Sequence, residues 1–345
     1  MSDIDRLVER YRRLNSYEQT LLQLLSVIYE PAHTTLIVSC LRKLELKSPR
    51  GNRPTAASIN HYIEKFQSIS LVNDSRQCDP DFVEFLSRKA IFNGTFLRFA
   101  EVVRNEAPVS YYYGKWTTRC WRAMREMRIG IYSQNFEIIM SALEFLDSQC
   151  NEILTPLPPA VQVVTRPFDH GWFRTLPASF QFFLLNHILR FSQGHLRSFP
   201  EIIDYLQSDE ELGHLSEDER LPFQRLLLNH YLLQGNIKAA EHLLALSRES
   251  FTGTGAEGTI AFLKGEFSHA LDLFDDDLEQ LLKISGQQNG AFFGIPGLFH
   301  ILAMIRSKER DSLHEVTHQI SVAMTEFEES DESQAYGFLA ALINN

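Results

Sequence analysis

Helical spacing dominates the order of apolar and polar positions along the chain, and alternating Val/Ile/Thr runs are nearly absent. Leu21, Leu22, Leu24, Leu25 and Ile28 predict one apolar helix face, and Leu36, Ile37, Cys40, Leu41 and Leu44 predict a second. Ser48 to Pro54 is rich in turn-forming residues and interrupts the pattern. A third helix opens at Pro54 or Thr55, with Ile59, Tyr62, Ile63 and Phe66 at i, i+3, i+4 and i+7. Ser70 to Ser75 reads as a short strand and turn. Three short helices followed by a β-wing within about eighty residues are the order of a winged helix. The plainer alternative is a three-helix cluster.

Beyond residue 80 the helices are predicted in pairs. Phe92-Asn93-Gly94-Thr95-Phe96, Leu233-Gln234-Gly235-Asn236-Ile237 and Leu263-Lys264-Gly265-Glu266-Phe267 each read apolar, x, Gly, polar, apolar. Tyr132 to Phe136 and Phe191 to Leu196 are degenerate copies. The turns fall near residues 94, 134, 194, 235 and 265, so the spacings are 40, 60, 41 and 30. Glycine ends a helix in the left-handed conformation that other residues adopt at a cost. The apolar residue after it starts the next helix, and Ala240 and Ala270 allow close helix approach. Repeats of roughly 30–45 residues are typical of tetratricopeptide-like helical hairpins. The expected fold is all-α: a winged-helix-like domain over 1–78, then an irregular tetratricopeptide-like array. The array comprises a first repeat segment over 79–150, a proline-rich insertion or linker over 151–175, and a second segment over 176–345.

With 345 residues, 44% hydrophobic and 22% charged, the chain has enough material for a real core and is too apolar to be disordered. The four cysteines (Cys40, Cys78, Cys120, Cys150) contain no CxxC pair, which excludes a disulfide scaffold or zinc ribbon and points to a reducing compartment. The charged N-terminus is not a signal peptide, and the apolar run Gly290–Ile305 is too short to span a bilayer. A cytoplasmic protein without membrane contact is expected. Charge is uneven: residues 1–150 carry 20 Lys+Arg against 17 Asp+Glu, and residues 151–345 carry 13 against 27. Two parts with different partners follow from that split.

Candidate chemistry is sparse. His314-Glu315-Val316-Thr317-His318 matches HExxH, the spacing by which zinc peptidases place two imidazoles and a base on one helix face. The metzincin continuation is absent, and Glu326, Glu328, Glu329 and Glu332 read as a solvated acidic face, so a surface helix is the plainer reading. Gly253-Thr254-Gly255-Ala256-Glu257-Gly258 matches GxGxxG, but a helix rather than a strand precedes it, so it reads as an inter-helix loop. A P-loop is absent, and no Ser or Cys sits in a glycine elbow.

Two basic groups are candidate contacts for nucleic acid or an acidic partner. Lys115, Arg119, Arg122, Arg125 and Arg128 recur on one helix beside Trp116 and Trp121, alternatively as a solvated face. Residues 40–76 hold seven Lys+Arg and three Asp+Glu. In a DNA-reading winged helix the third helix enters the major groove. Ser58, Asn60, His61, Lys65 and Gln67 would be exposed there, with Arg50 and Arg53 just before it.

The order of motifs also resembles a known family. Tyr17-Glu18-Gln19-Thr20-Leu21-Leu22 is followed by Cys78-Asp79-Pro80, Arg88 to Phe96, Arg166-Pro167-Phe168-Asp169-His170-Gly171-Trp172, Phe262 to Leu271 and Gly297 to Ala303. Over roughly residues 15–305 this resembles the non-catalytic N-terminal region of bacterial Swi/Snf-type helicase-like ATPases. The resemblance implies a winged-helix-like start and irregular helical repeats. The chain departs from that family in having no motor, so ATPase activity is not implied.

The expected function is a non-enzymatic scaffold, without cofactor or small-molecule substrate. Its repeats bind a protein partner, and its front domain binds DNA or regulates a helicase-like ATPase. Arg50, Arg53, Lys65, Arg119, Arg122 and Arg125 are the expected contacts. The alternatives are a transcription regulator whose repeats sense a ligand or partner, and a zinc metallohydrolase using His314 and His318.

Overall fold

In the computed structural model each of the five sequence-predicted turns separates two helices. The structure describes residues 3–109, 115–150, 157–246, 248–286, 290–292, 295–307, 313–326, 336–337 and 339–341. Among them lie nineteen α-helices, one 3-10 turn and no strand beyond an isolated bridge between Val72 and Cys78. The chain divides into two compact units, Met1–Tyr205 and Leu206–Asn345.

The first unit contains α1 (Asp3–Arg12), α2 (Ser16–Ile28), α3 (Thr34–Lys43), α4 (Ala56–Ser68), α5 (Val83–Phe92) and α6 (Phe96–Glu106). It continues with α7 (Trp116–Tyr132), α8 (Phe136–Gln149), α9 (Pro159–Thr165), α10 (His170–Phe173), α11 (Ala178–Gly194) and α12 (Pro200–Gln207), whose end opens the second unit. The second unit holds α13 (Asp209–Leu212), α14 (Glu217–Leu233), α15 (Ile237–Leu246), a 3-10 turn (Arg248–Phe251) and α16 (Ala256–Leu263). It ends with α17 (Phe267–Ser285), α18 (Ile295–Ser307) and α19 (Leu313–Glu326).

Helix α2 is the centre of the first unit. Its predicted apolar face is buried, but so are Glu18, Gln23 and Ser26, so α2 is enclosed nearly all round by α5, α6 and α7. The polar residues are accommodated by hydrogen bonds. Asn15 and Glu18 form a reciprocal capping box, Gln23 donates to Tyr11 Oη at 2.7 Å, and Ser26 donates to the Gln23 carbonyl at 2.8 Å. The stretch predicted as a linker is packed as well: Leu157, Ala160, Val161, Val163, Val164 and Phe173 are all buried. Asn151–Pro156 lie outside the described residues. In the second unit Phe274, Phe292, Ile301, Ala303, Val316, Ile320, Ala323 and Tyr336 form one core.

The five inter-helix turns share one hydrogen-bond pattern. One residue takes a left-handed φ, namely Gly94 (70°), Gln134 (55°), Leu196 (50°), Gly235 (65°) or Gly265 (84°). The next N–H donates to the carbonyl five residues back: Thr95 to Ala90, Asn135 to Gly130, Arg197 to Ser192, Asn236 to Tyr231 and Glu266 to Ala261, at 2.8–3.0 Å. This 6→1 bond satisfies a carbonyl the ended helix leaves open. One detail of the sequence reading is corrected: Gly194 is the last residue of α11, and Leu196 is the left-handed one. Ala240 and Ala270 are fully buried, as their role in close packing requires. Glycines allow close approaches as well. A Cβ on Gly130 of α7 would lie 2.7 Å from Ile139 Cγ1 of α8. The far ends of that pair are joined by a Cys120–Cys150 disulfide, a bonded pair that the dispersed cysteines do not announce.

Candidate interaction surfaces

Most of the arginine row on α7 faces inward. Residues three apart on a helix are rotated about 60° short of a full turn. Arg119, Arg122, Arg125 and Arg128 therefore wind halfway round the axis and cannot form one surface. Arg128 lies fully inside. It grips both Glu84 carboxylate oxygens of α5 at 2.9 Å and donates to the Ser26 carbonyl at 2.9 Å and Ser87 Oγ at 3.1 Å. Tyr132 Oη also donates to Glu84, at 2.7 Å, and Gln162 Nε2 does so at 3.4 Å. Burial opposes the Arg128 charge, but the Glu84 carboxylate more than offsets it and raises the guanidinium pKa. The guanidinium also lies 4.1 Å from the centre of the Tyr29 ring, and burial pushes the Tyr29 phenol up to about 12. This is a charged pair whose lone pairs and protons are taken by neighbours, the condition under which burial is tolerable.

The next two arginines tie α7 to earlier segments. Arg125 is fully buried and donates to the Ala107 carbonyl at 2.7 Å and to Glu126 at 2.8 Å. Burial lowers its pKa. As a surface contact Arg125 is corrected: its guanidinium lies inside the fold, on the Ala107 carbonyl and Glu126. Arg122, a quarter exposed, pairs with the buried Glu30 at 2.8 Å and donates to the Pro108 carbonyl at 2.9 Å. Arg119 is half-buried, and Lys115 before the helix is exposed.

The front residues are more open. Arg50 and Arg53 are exposed on the loop before α4. Lys65 is exposed on α4 but is held at 2.6 Å by Glu18 of the α2 cap. Thr55 caps α4 reciprocally with Ser58, and Asn60 accepts from Thr34 Oγ1 at 2.7 Å, so both polar groups have local duties. The three charged or basic residues of α4, His61, Glu64 and Lys65, all face solvent. The strand-and-turn expected at Ser70–Ser75 is a small hairpin carried by the Val72–Cys78 bridge and the bond from Asn73 N to Gln77 O, at 2.8 Å.

The GxGxxG loop is already filled. Gly253 N and Gly255 N, both in left-handed conformations, donate to the two carboxylate oxygens of Asp277 on α17, the second at 2.6 Å. Gly255 is the N-cap of α16, so Asp277 occupies the place where a phosphate would bind at a helix start. In the HExxH match the side chains of His314 and Glu315 lie outside the described residues. His318 is exposed. The acidic residues Glu328, Glu329 and Glu332, and the Glu326 side chain, also lie outside them.

A large concavity belongs to the first unit. A groove of about 790 Å³ runs between α6 and α8 over α7. Leu97, Glu101 and Arg104 stand on the α6 side, and Glu137, Ile138 and Phe145 on the α8 side. Small residues, Ala100, Ala123, Ser133, Ser141 and Ala142, keep it deep. Arg104 is neutralised by Glu126 at 2.7 Å. Exposed Phe92, Leu97, Phe136 and Met140 also stand on the helices that form it or on their turns. Sequence reading missed this groove because its residues come from three helices and no single one is unusual. A second cavity of about 330 Å³ lies beside the disulfide, lined by Met124, Met127, Leu146, His187 and Phe191.

No described helix is long and apolar enough to cross a membrane. Comparison with protein-family models, with curated proteins and with solved structures finds no match to this chain.

Proposed function

We propose that this chain is a non-enzymatic scaffold that docks a protein partner in the groove between α6 and α8. The groove carries the reading. It has a volume of about 790 Å³, is lined by short side chains such as Ala100, Ala123, Ser141 and Ala142, and carries exposed Leu97 on its α6 wall, with exposed Met140 elsewhere on α8. Exposed apolar residues concentrated around a concavity mark interaction sites in folded proteins. The paired helices closed by a common left-handed turn support a tetratricopeptide-like reading of the array, a class of fold used for binding. The test uses groove variants at exposed positions, which leave the core intact. Partner recovery by the wild-type chain, quantified by mass spectrometry, is expected to fall at least about ten-fold with Leu97→Glu and with Ser141→Trp. A partner recovered equally by all three proteins overturns the groove as the dock.

A second reading rests on the front segment. The α2–α4 helices and the Val72–Cys78 hairpin support a winged-helix-like reading, and exposed Arg50 and Arg53 precede its third helix. On that reading the segment contacts DNA, as a regulator would, or a helicase-like ATPase. Duplex binding that weakens steeply with salt and is lost in Arg50→Ala/Arg53→Ala supports it. Absence of binding at low salt removes it.

A further inference from the structure

The groove between α6 and α8 has a charge as well as a shape. Of the charged side chains along it, Arg104 and Glu126 neutralise each other at 2.7 Å, and Glu126 also takes Arg125 at 2.8 Å. That leaves Glu101 on α6 and Glu137 on α8, both exposed and neither in an ion pair among the described residues. The two acids stand on opposite walls of one channel whose lining mixes apolar side chains (Leu97, Ile129, Ile138, Phe145) with polar ones (Asn105, Ser133, Asn135, Ser141). The floor on α7 is Ala123, Glu126 and Ile129, and on the walls Ala100, Ser141 and Ala142 are short enough to let another helix approach to the roughly 8–10 Å typical of packed helices. The α8 residues that line the channel run from Glu137 to Phe145, about 12 Å of helix. No strand edge is present among the described residues, so pairing by β-augmentation has no template here.

Building on the scaffold reading above, we infer that the occupant of this groove is an amphipathic helix with an apolar stripe bordered by Lys or Arg on both sides. The stripe fills the channel between Leu97, Ile138 and Phe145, and the basic borders meet Glu101 and Glu137. An acidic border would face two uncompensated carboxylates. The pair of acids therefore selects the partner as much as it attracts it.

The test uses the full chain and two labelled 16-residue helical peptides. Both carry Leu at i, i+3, i+4 and i+7; one is bordered by Lys and the other by Glu. Fluorescence anisotropy at about 50 mM salt is expected to give at least about ten-fold tighter binding of the Lys peptide, shrinking as salt rises. The double variant Glu101→Lys/Glu137→Lys is expected to reverse the preference, and Glu101→Lys alone to reduce it. Because the whole chain is acidic, Glu64→Lys/Asp74→Lys is the control away from the groove and is expected to leave the preference unchanged. Equal binding of both peptides, a preference untouched by reversal at 101 and 137, or one moved equally by the control, overturns the inference. If those peptides are nonetheless displaced by Ser141→Trp, docking in the groove stands and only its charge selection fails. If Ser141→Trp leaves all peptide binding intact, the docking reading fails too.

Discussion

At the scale of single residues, Glu84 and Arg128 carry the largest energetic stake. Each is enclosed, and each is the other's main source of charge compensation. Removing one partner of such a pair leaves an unpaired buried charge, at a cost of about 3–5 kcal/mol, whereas replacing both by apolar groups is often close to neutral. Glu84→Leu is therefore expected to destabilise the first unit by about 3–5 kcal/mol, and Glu84→Leu/Arg128→Met to recover most of it. All three tryptophans, Trp116, Trp121 and Trp172, lie in that unit, so denaturant unfolding followed by tryptophan emission reads it selectively. A double variant as unstable as the single one would show that the ion pair is not the source of the cost. The sequence could not place these side chains. Glu84 and Arg128 are 44 residues apart, and an arginine every third residue looks the same whether it winds inward or faces water.

At the scale of elements, what could be read was local and what could not be read was paired. A left-handed turn followed by an apolar helix start has a short signature, so four of the five turns were legible in place, including the copy at Gln134 that has no glycine at the turn. The one displaced turn, at Leu196, lost its signature because a leucine holds the conformation glycine usually takes. The close approach of Gly130 to Ile139 and the Cys120–Cys150 bond depend on which helix faces which, and spacing alone does not encode that. The bond spans a separation of 30 residues and holds the ends of α7 and α8 opposite their turn. Closing a loop of that size restricts the unfolded chain by about 3–4 kcal/mol on the chain-entropy account. Reduction with a dithiol, or Cys120→Ser/Cys150→Ser, is expected to lower the tryptophan-reported midpoint accordingly. A midpoint unmoved by either treatment would mean that the bond contributes nothing to the first unit.

At the scale of the whole molecule, the charge asymmetry seen in the sequence falls on the boundary between the units. Residues 1–205 hold 24 Lys+Arg and 21 Asp+Glu, a net of +3, and residues 206–345 hold 9 and 23, a net of −14. Like-charge repulsion weakens a compact state and is screened by salt. Raising NaCl from about 20 mM to about 500 mM is expected to raise the thermal midpoint of the second unit. Circular dichroism reports both units, and tryptophan emission, which reports the first alone, is expected to move little. Equal shifts by the two probes would remove self-repulsion as the cause. The filled glycine loop gives the acidic unit a further property. Asp277 is tethered only 22 residues from Gly255, so its carboxylate is present at an effective concentration of millimolar or more. An anion from solution would have to displace this attached carboxylate before it could reach the two amides.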